Sequence, residues 1–217
     1  MYLFYYQSFL YLSVPEVLLF TIMTPIYVTL IYDLMQGNRL RWGYLFSALL
    51  AVLGALIIRY NPLSPQFLLG FALIQGANIC FAIGQVGYKR VMEISPMPQR
   101  NAFSWFYLGA LCIALPAWLL FGHHQMMPST GLQWGILIWL GVGASGMGYF
   151  MWNYGATQVD AGTLAIMNNV LIPAGLLVNL AIWQQHPDWI RLIAGGAVIA
   201  LSLWVHRRWI VRREIKH

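Results

Sequence analysis

The amino-acid sequence predicts an all-α, polytopic membrane protein: a bundle of seven full helical spans preceded by a partial one. Its composition is the first reason, because 60% of the 217 residues are hydrophobic and only 8% are charged, against about 25% charged residues in a soluble domain. The second reason is that the apolar residues fall into runs near the ~20 residues that cross a bilayer as a helix. A backbone in lipid must satisfy its own hydrogen bonds, so each run is expected to be helical.

Charges, prolines and glycines separate the apolar runs. The expected full spans are residues 14–36, 41–59, 67–88, 102–121, 132–154, 161–183 and 189–207. Residues 2–12 are apolar but only half a span long, and they lack the basic start and the cleavage site of a signal peptide. We therefore expect this first segment to be the end of an interrupted span.

The charge distribution indicates a lipid bilayer as partner and no nucleic acid. The net charge is +6, but the basic residues lie in short gaps between apolar runs, as in loops at an anionic membrane surface. With the C-terminus in the cytoplasm, Arg59 and Arg191 are the only two of the 12 Lys and Arg residues that fall outside. This bias predicts a cytoplasmic C-terminus, with residues 209–217 as a basic tail.

Several sequence patterns resemble known kinds of binding site, but their context in the chain does not fit those sites. The spacing G-x-G-x-x-G occurs in residues 141–148, but inside a span and without the preceding strand that a dinucleotide site requires. The pair His123–His124 has no third ligand in view, and no metal or cofactor is expected. Cys80 and Cys112 are expected to be small buried hydrophobic residues.

The chain also shows an internal repeat. A shift of 148 residues places Pro25 on Pro173, and it lays the span 14–36 over 161–183. The following span, 41–59, then overlies the last one. Repetition at this scale indicates two related structural units.

Under this alignment residues 67–208 form one complete unit of five spans, and residues 1–60 are the remnant of an earlier unit. Since five is odd, successive units enter the membrane in opposite directions. That inverted repeat is the architecture of secondary transporters, with the substrate bound near the midplane. We expect the chain to be an N-terminally truncated form of a ten-span protein (5+5).

Two stretches carry a family resemblance: "LSVPEVLLFTIMTPIYVTLIYDLMQGNRLRWGYLFSALLAVLGALII" and "VDAGTLAIMNNVLIPAGLLVNLAIWQQHPDWIRLIAGGAVIALSLWV". Each has a helix with a central proline, a short hydrophilic turn and a glycine-containing final helix. The chain resembles the EamA family of the drug/metabolite transporter superfamily. Members usually carry a Glu-Arg pair in the turn after the proline helix, whereas these turns read "MQGNRLRW" and "WQQHPDWI". We therefore assign the role of that glutamate to no residue of this sequence.

The resemblance implies a bacterial inner-membrane secondary transporter of a small metabolite, within the group that carries carboxylates, amino acids and amines. Uptake of biotin is the leading expected activity, and export of amino acids or related metabolites is the alternative. A membrane-embedded enzyme is a further alternative, but such enzymes need clustered acids or histidines at depth, which the sequence does not show. An inactive fragment is the last alternative.

Polar side chains inside apolar spans predict where the substrate binds. Asn168 and Asn169 lie about 10–12 Å into their span at ~1.5 Å per residue, close to Pro173. An amide offers both a donor and an acceptor, which suits a urea-like ring or a carboxylate. The alternative is that both asparagines are interhelical contacts worth about 0.6 kcal/mol each. Pro25 and Pro173 are expected to act as hinges.

Five further side chains are candidate substrate ligands. Gln75, Asn78 and Gln85 form a stripe along one face of the span 67–88, which is expected to face protein or a pore. Tyr149 and Asn153 lie near the end of the span 132–154, where aromatic rings could contact a flat ring.

The acids are expected to play no part in a proton relay. Glu16, Asp33 and Asp160 lie at span ends, where a charged carboxylate costs little free energy because it can reach water.

Overall fold

A computed structural model describes residues 1–12, 14–37, 39–59, 67–122, 128–183 and 188–211, and every regular element in these ranges is helical. The helices are α1 (Tyr2–Ser8), α2 (Val14–Thr21), α3 (Thr24–Gln36), α4 (Trp42–Arg59), α5 (Phe67–Ile94), α6 (Gln99–Phe121), α7 (Gly131–Ile138), α8 (Tyr149–Ala156), α9 (Ala161–Trp183) and α10 (Trp189–Val205). Wider π-helical turns follow α7 (Trp139–Gly148) and α10 (His206–Val211). The predicted all-α class is confirmed.

Five helical segments in the described ranges are long and apolar enough to cross a membrane: Leu19–Gln36, Leu68–Ile94, Gln99–Phe121, Gly131–Ala156 and Trp189–Arg208. Two shorter apolar helices, Trp42–Ile57 and Ala161–Gly175, accompany them. The count of seven spans and the inverted repeat stay predictions. The loop residues 60–66, the pair His123–His124 and residues 212–217 lie outside the described residues.

The chain forms two compact units. Met1–Val86 and Val159–His217 make the first unit, and Gly87–Gln158 makes the second. In the first unit, α4 packs along α10 at a close crossing. A Cβ atom added to Gly54 would lie 2.7 Å from the carbonyl oxygen of Gly195 and 2.8 Å from Cγ1 of Ile199. Small residues allow helices in a membrane to approach this closely.

The core of the first unit is a cluster of buried aliphatic and aromatic side chains. Val17 and Phe20 of α2 lie in it together with Ile74 of α5, Ile166 of α9 and Ile199 of α10. These residues come from distant parts of the chain, so the cluster holds α2, α5, α9 and α10 together and places the polar residues of α5 and α9 close to α2 and α3.

The turn between α3 and α4 is held by one acid–base pair. Gly37 ends α3 with φ 69°, a left-handed conformation that glycine adopts without a steric penalty. Nε of Arg41 then donates to Oδ1 of Asp33 (2.7 Å), and its backbone N–H donates to Oδ2 (2.9 Å). The guanidinium also lies 3.7 Å above the centre of the Tyr44 ring. An Asp–Arg pair thus stabilises the turn between α3 and α4.

The second unit contains α6 and the nearly continuous helical segment Gly131–Ala156. Thr130 begins α7 with a capping box, in which its side chain accepts from the backbone N–H of Gln133. The Tyr107 hydroxyl donates to the carbonyl of Ser145 in the π-helical turn. The G-x-G-x-x-G spacing therefore belongs to a helix, without the preceding strand of a dinucleotide site.

The prediction for the cysteines is wrong. Cys80 and Cys112 are both exposed. Apolar side chains dominate the exposed surface around them, including Ile79, Leu111 and Ile113. In a membrane protein the outer helix surface faces hydrocarbon, so a small apolar side chain is stable there without burial in protein.

Candidate functional site

Within the span predicted over residues 14–36, a turn at residues 22–23 separates two helices. Helix α2 ends at Thr21 and α3 begins at Thr24. Pro25 lies in the first turn of α3, where its missing N–H is tolerated. The Thr24 hydroxyl donates to the carbonyl of Thr21 (2.6 Å), which takes the place of the N–H that Pro25 lacks.

The break leaves carbonyl groups inside the core of the first unit, and three side-chain amides donate to them. Phe20 O accepts from Nε2 of Gln75 (3.3 Å) and from Nδ2 of Asn78 (3.0 Å). Ile22 O accepts from Nδ2 of Asn169 (3.0 Å). Irregular backbone at membrane depth is stable only where such partners exist. We call these two carbonyls and three amides the helix break.

The amide oxygen of Gln75 is also occupied. It accepts from the Tyr27 hydroxyl (2.9 Å) and from Nδ2 of Asn78 (3.3 Å). The contact between Gln75 and Asn78 agrees with the shared face expected from their spacing. Gln75, Asn78 and Asn169 are all buried, with exposed fractions of 8%, 5% and 1%. In this conformation the three amides bind protein backbone.

A second pair of predicted residues meets further along the same two helices. Nδ2 of Asn168 donates to Oε1 of Gln85 on α5 (3.2 Å) and to the carbonyl of Leu164 (3.0 Å). Asn168 is half-buried. Both hydrogen bonds of its side chain to the described residues use the nitrogen, so Oδ1 can still accept one.

Gln85 of this pair has an unused donor. Its side chain is 1% exposed, and Nε2 has no hydrogen-bond partner among the described residues. A buried donor without a partner costs about 1–3 kcal/mol, so its presence requires an explanation. We call Gln85 and Asn168 the amide pair; together they present one donor and one acceptor.

The remaining predicted ligands, Tyr149 and Asn153, belong to the second unit. Nδ2 of Asn153 donates to the carbonyl of Tyr149 (2.8 Å), while Oδ1 is buried and has no partner within the part of the chain that the structure describes. The Tyr149 ring lies 5.7 Å from that of Phe106 and 6.5 Å from that of Phe103, measured between centroids. Asn153 therefore has unused hydrogen-bonding capacity, as does the neighbouring Trp152, whose Nε1 is also buried without a partner among the described residues.

The two proline residues differ in surroundings. Pro25 is fully buried at the start of α3, whereas Pro173 is half-buried inside the unbroken helix α9. The sequence predicted a hinge at both positions, and the hinge function stays a prediction.

Sequence reasoning did not anticipate a buried cluster at the other end of α9. Nε2 of His206 lies 2.6 Å from Oδ1 of Asp160, and Nδ1 lies 3.1 Å from the Ser47 hydroxyl. Asp160 also accepts from the backbone N–H groups of Gly162 and Thr163, so it caps α9. The capping signal was readable in the sequence, but the histidine partner was not.

Comparison with known proteins places this geometry in a family. The EamA-like transporter family matches residues 68–206. The chain is 64% identical over 214 residues to the biotin transporter of Escherichia coli (strain K12), covering 99% of this chain and 72% of that protein. It is 55% identical over 213 residues to the probable biotin transporter of Pseudomonas aeruginosa, covering 97% of this chain and 73% of that protein.

The fold recurs in a solved crystal structure with a TM-score of 0.77. That structure is 17% identical and covers 99% of this chain and 74% of the other, so the likeness shows a shared fold alone. The family match over more than half of the chain and the identity to these relatives show the family. This chain belongs to the EamA-like transporter family.

Proposed function

We propose that this protein is a multi-pass inner-membrane secondary transporter that takes up biotin, and that it is not an enzyme. The family match and the two relatives at 64% and 55% identity, which are a biotin transporter and a probable biotin transporter, support this substrate. The observation in the structure that carries the proposal is the unpartnered buried donor of Gln85 beside the half-buried Asn168.

The amide pair is chemically complementary to the ureido ring of biotin. That ring presents a carbonyl acceptor next to an N–H donor. Nε2 of Gln85 would donate to the ureido carbonyl, and Oδ1 of Asn168 would accept from the ureido N–H. Both groups would then be satisfied at once, which removes the cost of the unpaired donor in the bound state.

We assign the other predicted ligands different roles. Gln75, Asn78 and Asn169 hold the helix break, so they support the substrate site by fixing the positions of α5 and α9. Tyr149 and Asn153 stay candidate ligands, since Oδ1 of Asn153 is a buried acceptor without a partner.

The proposed architecture is an inverted repeat. Residues 1–60 are the remnant of a first repeat, and residues 67–208 are a complete second repeat, which the family match over 68–206 supports. The C-terminus and the tail 209–217 lie in the cytoplasm, as the distribution of basic residues favours. Transport then proceeds by bending of the proline-containing helices at Pro25 and Pro173, which opens one face of the site at a time.

Uptake of labelled biotin tests the proposal. Cells that lack their own biotin transporter would express this chain, with the Escherichia coli relative as positive control, and membrane levels would be matched by immunoblot. We expect uptake above the empty vector and accumulation rather than loss of preloaded biotin. Uptake equal to the vector at matched levels contradicts the proposal, and accelerated loss of preloaded biotin or amino acids would support the export alternative.

A Gln85→Leu variant tests the amide pair. Loss of one hydrogen bond to the ligand is worth about 1–3 kcal/mol, so we expect biotin uptake to fall about fivefold to 150-fold. The variant should keep the free energy of unfolding within about 1 kcal/mol of the wild type, because leucine removes both a buried donor without a partner and the acceptor of one hydrogen bond from Asn168. Gln158→Leu at an exposed position is the matched control and should keep its uptake. A Gln85→Leu protein that unfolds more easily and transports normally would assign Gln85 to packing.

A further inference from the structure

The end of α10 carries an open groove that the proposed transport site does not use. Its lining residues in the described part of the chain are Leu203 and Trp204 of α10 and Arg207 and Arg208 of the π-helical turn that follows. The groove has a volume of about 560 Å³, which lies within the range of about 300–1,000 Å³ that small-molecule sites occupy. We call these four residues the arginine groove.

The arginine groove lies on the outward face of its helix. Ser202 and His206 are fully buried and define the face that packs against the protein, whereas Trp204, Arg207 and Arg208 are exposed. In a chain that spans a bilayer, the exposed face at the end of an apolar helix is in contact with lipids and their headgroups. The groove is therefore open towards the membrane and not towards the core of the first unit.

The position of the groove along the helix corresponds to the boundary between hydrocarbon and headgroups. The apolar segment Trp189–Arg208 has 20 residues, which cover about 30 Å as a helix at about 1.5 Å per residue. That length matches the hydrocarbon core of a bilayer, so the two arginines at the end of the segment lie at the level of the headgroups. Trp204, one turn before Arg208, lies where tryptophan is enriched at membrane interfaces.

Apolar and basic side chains alternate in order along the groove. Leu203 and Arg207 are four residues apart, and so are Trp204 and Arg208, so each arginine has an apolar neighbour one turn closer to the middle of the membrane. Leu203 also packs against the buried core of the first unit, which fixes this part of the groove. A ligand that fills the groove therefore needs an anionic end and an adjoining apolar part.

Acids in the described part of the chain do not neutralise the two guanidinium groups of the groove. Neither group forms an ion pair there, whereas Arg41 pairs with Asp33 and Arg191 pairs with Asp188. The next stretch of the sequence, residues 212–217, contains three Lys and Arg residues and one acid, so it adds positive charge. A guanidinium group can donate two parallel hydrogen bonds to a phosphate, which makes arginine a preferred partner of phosphate.

We propose that the arginine groove binds one anionic phospholipid. The guanidinium groups of Arg207 and Arg208 donate to the oxygens of its phosphate, and Leu203 and Trp204 contact the first methylene groups of its acyl chains. A free phosphate or a soluble phosphate ester would use the arginines but not the apolar residues, whereas a lipid uses both. The inference needs α10 to end at the membrane surface, and it does not depend on which metabolite the protein carries.

Native mass spectrometry of the purified protein in detergent tests lipid binding directly. Phosphatidylglycerol, which has a net negative charge, is compared with phosphatidylcholine of the same acyl chains, which has none. We expect the first phosphatidylglycerol molecule to bind about 25-fold more tightly, because each arginine near an anionic lipid contributes about fivefold. Glycerol phosphate should bind at least about tenfold more weakly than phosphatidylglycerol, because it has no acyl chain to bury. Equal affinity for the two lipids, or equal affinity for glycerol phosphate, would overturn the lipid as the occupant.

Removal of the two arginines tests whether the groove is the site. In Arg207→Gln/Arg208→Gln we expect the affinity for phosphatidylglycerol to fall about 25-fold, to the level of phosphatidylcholine. Arg39→Gln/Arg100→Gln is the matched control, because these two arginines are also exposed near span ends but lie outside the groove. The control loses the same charge and should change the affinity by less than about twofold, since distant charges are screened. Equal losses in the two double variants would show attraction to the overall charge and would overturn the site.

A photoactivatable phosphatidylglycerol locates the bound lipid without any variant. With the reactive group at the start of an acyl chain, we expect the cross-linked peptide of the wild type to contain Leu203 or Trp204. Cross-linking confined to other helices would overturn the proposal. Thermal unfolding without added lipid should be the same for the wild type and both double variants, because all four arginines are exposed. None of these measurements involves transport, so failure of biotin uptake and failure of the lipid site are distinguishable.

Discussion

Two proline-containing helices of this protein, which the predicted internal repeat aligns, respond differently to their proline. The segment from Val14 to Gln36 is interrupted between α2 and α3, and Pro25 begins the second helix. In contrast, α9 continues from Ala161 to Trp183 with Pro173 in its interior. A proline removes the same N–H group in both places, so the residue by itself does not determine whether a helix breaks.

The helices packed around each proline explain why one segment is interrupted and the other is continuous. At the helix break, α5 supplies the amides of Gln75 and Asn78 and α9 supplies that of Asn169, so that the carbonyls of Phe20 and Ile22 keep donors. One of the two proline helices thus stabilises the interruption of the other. A break in a membrane helix is stable when the packing around it replaces the lost hydrogen bonds.

Replacement of each proline by alanine should give the largest difference in stability between the two helices. A proline in a helix interior costs about 3 kcal/mol, whereas one in the first turn costs little. We expect Pro173→Ala to raise the free energy of unfolding by up to about 3 kcal/mol and Pro25→Ala to change it by less than about 1 kcal/mol. Denaturant titration in mixed micelles measures both. Equal effects at the two positions would show that the contrast between interior and first turn is not the cause.

The two amides that share one carbonyl provide a second test. Phe20 O accepts from both Gln75 and Asn78, so either donor alone keeps it satisfied. We expect Gln75→Leu and Asn78→Leu each to lower the free energy of unfolding by about 0.5–1.5 kcal/mol. The double variant should lose more than the sum, because only then does the carbonyl lose both of its side-chain donors. Additive losses in this double-mutant cycle would mean that the two amides act independently of the break.

Local properties of the fold were predictable from the sequence. Contacts between side chains that are far apart in the sequence were not. Hydropathy locates the helices because each run must itself match the thickness of the bilayer. The interruption near Ile22 depends on Asn169, which is 147 residues away, and the amide pair joins residues 83 apart. The spacing of Gln75, Asn78 and Gln85 indicated one face of a helix, but it could not show which of their atoms would be left without a partner.

Asp160 illustrates the same limit of local reasoning. From the sequence, Asp160 was placed only at a span end, and the structure shows that it caps α9. Its contact with His206, 46 residues away, requires α10 to pack against the start of α9 and requires Gly162 to leave room for the ring. An acid at the end of a span, where it was expected to have no further role, is therefore in contact with a buried histidine.

The adjacent residues Asn168 and Asn169 give the most direct test of the account. It assigns Asn168 to the substrate and Asn169 to the helix break. In biotin uptake kinetics at matched membrane levels, Asn168→Leu should raise KM about tenfold, whereas Asn169→Leu should change KM by less than about threefold. Asn169→Leu should instead lower the free energy of unfolding by about 1–3 kcal/mol, because the buried carbonyl of Ile22 loses its donor. A raised KM in Asn169→Leu with a normal KM in Asn168→Leu would contradict the account.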